Sequence, residues 1–131
     1  MASEPERLFD TTGVILAAGK GTRMKSDLPK VLHPVLEKPM ISHVVSALDD
    51  AGVMRLVAVV GYKSEQVIPQ LPAKVLYVHQ REQLGTGHAL MCAAPVCPRT
   101  GSLLVVCGDT PLICGENLNR LGNEREKTGA A

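Results

Sequence analysis

The chain has 131 residues, of which 45% are hydrophobic, and this is enough for one compact domain with its own core. Its formal net charge of +1 provides no overall field that would draw it onto nucleic acid or an anionic membrane, so we expect neither partner. No apolar run has the length of a membrane span, and the polar start over residues 1–12 lacks a signal peptide's apolar stretch, so we expect a cytoplasmic protein.

The cysteines and histidines show no metal-finger spacing. Cys92, Cys97, Cys107 and Cys114 include no CxxC pair, and the histidines are scattered along the chain. We therefore expect free, mostly buried thiols, as in other cytosolic chains, with a disulfide or a zinc site as the less favoured alternative.

Strands and helices alternate along the chain. Residues 13–18 read GVILAA, an apolar run that ends in a glycine-rich stretch, which is typical of a buried strand that leads into a loop. Apolar residues recur at helical spacing from Met40 to Leu48, and Gly52 is a suitable stop for that helix. The later segments predict strands over 56–61, 74–80 and 102–109, and helices over 64–71, 86–94 and 115–127.

This order predicts an α/β fold with a doubly wound, mostly parallel sheet. The chain has two Tyr, one Phe and no Trp, so aliphatic residues must fill the core, as suits a sheet buried on both faces. Ligands of such sheets bind beyond the carboxyl ends of the strands, where the first loop, Gln80 and Asp109 would meet. We also expect that a sheet cut after its fourth strand exposes an apolar edge.

The stretch LAAGKGTRMKSDLPK, residues 16–30, has the chemistry of a phosphate cradle. Gly19 and Gly21 allow a tight turn that brings backbone N–H groups against a phosphate, while Arg23 and Lys30 supply positive charge. A P-loop would need GxxxxGK followed by Ser or Thr, and a dinucleotide-binding GxGxxG would need glycine where Met24 stands, so neither fits. The alternative is an ordinary glycine turn with solvated basic residues, which the added Arg and Lys disfavour.

The motifs LAAGKGTRM, LPKVLHPV, QLGTGHA and GDTPLI follow one another between Val14 and about Leu121. In these motifs the chain resembles the sugar-phosphate nucleotidyltransferases, and within them the bifunctional bacterial N-acetylglucosamine-1-phosphate uridyltransferases. The resemblance implies a Rossmann-like nucleotidyltransferase fold. It also implies transfer of UMP from UTP to N-acetylglucosamine 1-phosphate, which yields pyrophosphate and UDP-N-acetylglucosamine for cell-envelope precursors.

The same resemblance implies roles for particular residues. Arg23 and Lys30 would be the catalytic cations that neutralise phosphate charge, and Asp109 would be a ligand of Mg²⁺. The residues that it places against the substrate are Leu16, Ala17, Ala18, Gly19, Gly21, Thr22, Gln80, Gln83, Gly85 and Thr86.

Plainer interpretations stay open on the residues alone. Gln80 and Gln83 could be solvated turn residues, and Asp109 could be an acidic cap after its strand. His88 is expected to pack under the loop as a helix residue, because the implied phosphoryl transfer needs no protein base.

The chain departs from the family at two points. Cys107 stands where the family usually has an aromatic residue before the GD motif. A second magnesium ligand, the sugar-binding residues and the acetyl-transferring domain through which family members trimerise would all lie beyond Ala131.

We therefore expect residues 1–12 to be a polar extension and residues 13–131 to be an incomplete nucleotide-binding part, inactive alone. The alternatives are another sugar-phosphate nucleotidyltransferase, or a non-catalytic nucleotide-binding or regulatory module.

Overall fold

The computed structural model describes residues 10–19 and 27–110. The strands are β1 (Thr11–Ala17), β2 (Pro34–Val35), β3 (Lys38–Pro39), β4 (Arg55–Val60), β5 (Leu76–His79) and β6 (Ser102–Cys107). The α-helices are α1 (Met40–Asp50), α2 (Ser64–Val67) and α3 (Thr86–Ala93), and 3₁₀ turns cover Lys30–Leu32, Ile68–Gln70 and Ala94–Val96. None of the helices in these two ranges is long and apolar enough to cross a membrane.

β1, β4, β5 and β6 form a parallel sheet in the order β5–β4–β1–β6, and β2 and β3 form a separate antiparallel hairpin. Val14 of β1 is in register with Val57 of β4 on one side and with Val105 of β6 on the other. The first described strand is therefore central, and the later strands run outward to β5 and then return to the far side of β1. This reversal creates a crevice at the carboxyl ends of β1 and β6, where doubly wound sheets bind ligands.

Helices cover both faces of the sheet. Alternation along the strands places Ile15 and Ala58 in one apolar cluster with the buried side of α1. Val14 and Val59 point the other way and form a second cluster with Ala89 of α3. β4 is buried at every residue after its first, as expected for a strand that is covered on both faces. The predicted α/β fold with a doubly wound, parallel sheet is confirmed.

The end of α1 explains why the chain turns toward β4 at Gly52. Gly52 has φ 84°, a left-handed conformation that glycine adopts without strain. Its N–H donates to Asp49 O and the Val53 N–H donates to Leu48 O, which together make a Schellman motif. Val53 and Leu48 are both buried, so the cap also contributes to the core. The predicted helix stop at Gly52 is confirmed.

The face of β6 on the α3 side is exposed. Leu103 and Val105 are 46% and 39% exposed, and Cys107 on the same face is exposed too. An apolar part of this face is therefore exposed among the described residues, and the expected apolar edge of a cut sheet stays a prediction. Cys92, Cys97 and Cys107 are free thiols, as predicted, but the prediction that they are mostly buried is wrong. Cys107 is exposed because α3 packs mainly against β1 and β4, and Cys92 and Cys97 are half-buried.

Two other boundaries differ from the prediction. β1 begins at Thr11, inside the segment predicted as a polar extension, and Asp10 O accepts a hydrogen bond from Ser102 N. The predicted helix over 64–71 ends at Val67 and continues as a 3₁₀ turn, because Pro69 has no N–H to extend an α-helical ladder. The predicted helix over 115–127 lies outside the described residues.

The hairpin β2–β3 has no counterpart in the prediction. Its turn residues, Leu36 and Glu37, have φ values of 51° and 68°. Tight hairpins favour positive φ at both central positions, but Asn and Gly are the usual signals for it and neither is present here. The hairpin leads the chain from Lys30 into α1, and His43 of α1 hydrogen-bonds to Val35 O.

Candidate functional site

An open cavity of about 330 Å³ lies at the carboxyl ends of β1 and β6. Four segments line it: the end of β1, the 3₁₀ turn that begins at Lys30, the β5–α3 loop with the start of α3, and the end of β6. Of the residues predicted to bind substrate, catalyse or hold a metal, those that line the cavity are Leu16, Ala18, Gly19, Lys30, Gln80, Gln83, Gly85, Thr86 and Asp109. Residues far apart in the chain therefore meet in one cavity.

Four predicted residues remain outside this set. Ala17 is 2% exposed and packs in the α1-side core, so it does not line the cavity. Gly21, Thr22 and Arg23 lie outside the described residues, and their assignment stays a prediction.

One wall of the cavity carries an ion pair. Lys30 Nζ lies 2.9 Å from Asp109 Oδ2, and the two side chains are 44% and 30% exposed. Lys30 begins the 3₁₀ turn whose next residues, Val31 and Leu32, are buried, so the apolar pair anchors the lysine at the cavity rim. The cation and the carboxylate that the motifs singled out are thus direct neighbours.

The residue before Asp109 is Gly108, and close packing explains why it has no side chain. A Cβ at Gly108 would lie 3.0 Å from Val31 Cγ1 and 3.3 Å from Leu16 O. The Gly108 N–H also donates to Leu16 O at 2.9 Å. The absence of a side chain therefore lets the end of β6 close on β1 and brings Asp109 to the cavity.

The opposite wall is the loop between β5 and α3. Gln80 is only 4% exposed, and its Nε2 group donates to Gly85 O at 3.2 Å and lies 3.0 Å from His88 Nδ1. Gln83 Nε2 donates to Ala18 O at 2.9 Å, which joins this loop to the end of β1. The interpretation of Gln80 as a solvated turn residue is therefore wrong, and His88 packs under the loop as expected.

Gly61, which follows β4, allows this loop to approach. A Cβ there would lie 2.9 Å from Gln80 O, and 3.0 Å from both Ala18 Cβ and Gln83 Nε2. Every one of these contacts is closer than ordinary packing allows, so the site needs glycine at this position. Sequence reasoning did not single out Gly61, because LVAVVG reads as an ordinary strand end.

The oxygen donors at the cavity suit a hard cation that takes some of its ligands from the protein and the others from a bound substrate. Across residues 10–19 and 27–110, no group of three or more His, Cys, Asp or Glu side chains could hold a metal by itself. Asp109 contributes one partly exposed carboxylate at the cavity. Mg²⁺ keeps most of its water and commonly binds through one or two carboxylates plus substrate phosphates, so one carboxylate beside an open cavity fits it.

A family model described as a MobA-like NTP transferase domain matches residues 13–131. The chain belongs to this family. The Bifunctional protein GlmU of Exiguobacterium sibiricum is 57% identical to this chain over 118 residues, which are 89% of this chain and 26% of that protein. The Bifunctional protein GlmU of Heliobacterium modesticaldum is 51% identical to this chain over 120 residues, which are 91% of this chain and 26% of that protein. The chain thus spans about a quarter of the length of these relatives.

Solved structures share the fold of this NTP transferase domain. HddC from Yersinia pseudotuberculosis, complexed with GMP-PN, has a TM-score of 0.74 at 29% identity and covers 87% of this chain and 53% of that chain. Rv0371c from Mycobacterium tuberculosis H37Rv has a TM-score of 0.74 at 24% identity over 88% of this chain and 60% of that chain, which is a likeness of fold alone.

Proposed function

We propose that the chain is the nucleotide-binding part of an enzyme that transfers UMP from UTP to N-acetylglucosamine 1-phosphate. The products are UDP-N-acetylglucosamine, a precursor for peptidoglycan and lipopolysaccharide, and pyrophosphate. The observation that carries this proposal is the cavity in which Lys30 and Asp109 face the Gln80–Thr86 loop. The identity of 57% to a GlmU protein across most of the chain supports the choice of reaction.

The phosphate half of the proposed site is the wall with the ion pair. A phosphate oxygen of N-acetylglucosamine 1-phosphate attacks the α-phosphorus of UTP in line, and pyrophosphate leaves with the electrons of the broken P–O bond. Lys30, at the rim, supplies a mobile positive charge to the phosphates, and Arg23 would add a planar fork. Mg²⁺, when bound through Asp109, supplies charge that screens the repulsion between the two polyanions. No protein nucleophile is needed.

The base half of the proposed site is the β5–α3 loop. Gln80, Gln83, Gly85 and Thr86 line the cavity opposite Lys30. Gly85 precedes α3 with φ 98° and no side chain caps this helix, so N–H groups of its first turn are available to ligand oxygens. The backbone from Leu16 to Gly19 lies between the two halves, where the ribose would sit.

Turnover is proposed to need a longer protein. The chain spans 26% of each of the GlmU relatives compared above. We propose that the sugar contacts and the second metal ligand lie in the remainder of such a protein. Residues 13–131 are proposed as an incomplete domain, with Thr11 and Thr12 added to it because they belong to β1, and the proposed polar extension ends before this strand. Trimerisation through a C-terminal domain and residence in the cytoplasm are proposed for the whole protein.

The test is a calorimetric titration of the 131-residue chain with UTP, CTP, GTP and ATP, each in the presence of Mg²⁺. We expect UTP to bind most tightly, and Arg23→Ala to weaken it. A preference for CTP or GTP would instead support a different sugar-phosphate nucleotidyltransferase. A folded chain that binds none of the four would contradict the proposal.

A further inference from the structure

A polar pair, made of the buried Gln80 and the half-buried His88, lies at the base-facing wall of the cavity. Gln80 lines the cavity, whereas His88, two residues into α3 from Thr86, does not. The Gln80 amide nitrogen lies 3.0 Å from His88 Nδ1 and 3.2 Å from Gly85 O. Gln80 is 4% exposed, so water offers few alternative partners to its amide.

The chemistry of these partners determines which way the Gln80 amide faces. Gly85 O is a carbonyl and can only accept, so the amide nitrogen must face it. The second amide hydrogen then points to His88 Nδ1, which accepts when the imidazole carries its proton on Nε2. Both N–H bonds of the amide are used within the protein.

The amide oxygen is then the polar atom of Gln80 that remains for a ligand. The structure gives Oε1 no hydrogen-bond partner within the described residues, and no buried side-chain oxygen there is unsatisfied, so Oε1 keeps some contact with solvent. A rotated amide would place Oε1 against Gly85 O, two acceptors at hydrogen-bond distance, which is unfavourable in a buried site.

We propose that His88 is a positioning residue that, together with Gly85 O, holds the Gln80 amide with its oxygen toward the ligand, and so makes the site select a base that presents an N–H. This inference rests on the proposed function. The uracil N3 position carries a hydrogen, which an oxygen can accept, whereas the cytosine N3 position is itself an acceptor and would be repelled. Discrimination between UTP and CTP thus depends on a side chain that does not line the cavity.

The first experiment needs no nucleotide. In the 131-residue chain with ¹⁵N-labelled histidine and glutamine, long-range ¹H–¹⁵N correlation spectra report which imidazole nitrogen of His88 carries the proton. We expect the proton on Nε2, and slow solvent exchange of the Gln80 side-chain NH₂ hydrogens. A proton on Nδ1 would overturn the inference and leave the proposed function intact.

The second experiment measures the ratio of UTP to CTP affinity in three chains. His88→Leu removes one of the two acceptors that hold the amide nitrogen and leaves only Gly85 O at 3.2 Å, so the amide is held less firmly and the ratio should fall about tenfold. His88→Asn places an oxygen acceptor near the position of Nδ1, so it should keep most of the wild-type ratio. Circular dichroism melting confirms that each variant is folded.

The outcomes separate the two claims. A wild-type chain that does not prefer UTP contradicts the proposed function and the inference together. A wild-type preference for UTP that is unchanged in folded His88→Leu overturns the role of His88 alone. Equal loss of UTP and CTP affinity in both variants would mean that His88 only supports the loop, which also overturns it.

Discussion

Lys30 Nζ and Asp109 Oδ2 lie 2.9 Å apart at the rim of the cavity, on the 3₁₀ turn before β2 and just beyond the end of β6. The lysine ammonium therefore lies where a divalent cation bound to Asp109 would also be placed, and two positive charges cannot share that carboxylate without repulsion. A triphosphate relieves this competition, because its oxygens provide another partner for Lys30. Metal and nucleotide are thus expected to bind cooperatively.

Lys30→Gln is expected to raise affinity for Mn²⁺ alone while lowering affinity for UTP. Removal of one cation beside a partly exposed carboxylate should tighten Mn²⁺ binding a few-fold, corresponding to about 1 kcal/mol or less. Electron paramagnetic resonance of free Mn²⁺ measures the first effect, and calorimetry with UTP the second. In Asp109→Asn, Mn²⁺ binding should disappear. Weaker Mn²⁺ binding in Lys30→Gln would contradict the competition.

The same ion pair should contribute little to folding. Lys30 and Asp109 are 44% and 30% exposed, so solvent screens their attraction. Lys30→Gln should change the free energy of unfolding by less than ~1 kcal/mol, as measured by urea denaturation. A much larger loss would assign the lysine a structural role in place of the proposed phosphate contact.

Gly61→Ala should damage the nucleotide site. The new Cβ would lie 2.9 Å from Gln80 O and 3.0 Å from Gln83 Nε2, so the β5–α3 loop must move away from β1. We expect a loss of ~1–3 kcal/mol in stability and weaker UTP binding. Gly87→Ala is the matched stability control, because no atom lies within 4 Å of its Cβ and it stands in α3, where alanine should stabilise by roughly 0.5 kcal/mol. Similar melting temperatures for both variants would refute this account.

Leu48→Ala should be the most damaging of the truncations considered. Leu48 is fully buried on α1 and its carbonyl accepts the Schellman hydrogen bond from Val53. A loss of ~2–5 kcal/mol is expected, because the removed methyl groups leave a cavity in the α1-side core. Met54→Ala, at a residue that is 70% exposed, should cost under ~1 kcal/mol in the same denaturation series.

Cys97 should react with alkylating reagents more slowly than Cys107. Burial raises the pKa of the Cys97 thiol, so a smaller fraction of it is thiolate at a given pH than in an ordinary thiol. Because the thiolate is the reactive form, the labelling rate of Cys97 should continue to rise well into the alkaline range. Cys107 is exposed and lines the open cavity. Peptide mass spectrometry after iodoacetamide treatment over a series from about pH 7 to 10 measures both rates. Saturating UTP should slow labelling of Cys107 alone, and equal slowing at Cys97 would argue against binding in the cavity.

Local patterns were sufficient to predict the order of the strands of the parallel sheet and of the helices between them, although not the hairpin β2–β3. Apolar runs mark the four strands of the parallel sheet, and a 3.6-residue period with a glycine stop marks α1, because these signals arise from burial and backbone conformation within one segment. The carboxyl-edge rule for parallel sheets was likewise enough to bring Gln80 and Asp109 to one cavity, since it depends on strand direction rather than on any particular contact.

By itself, then, the sequence determined the fold class, the edge of the sheet that holds the site, and most of the residues that line it. Only the tertiary structure decided the strand order, the burial of Gln80, its hydrogen bond to His88, the need for glycine at Gly61, and the ion pair of Lys30 with Asp109. Each of these is a contact between segments that are set apart by turns and crossovers. A residue's type and spacing do not encode its distance from such partners, and packing of the whole chain is what sets that distance.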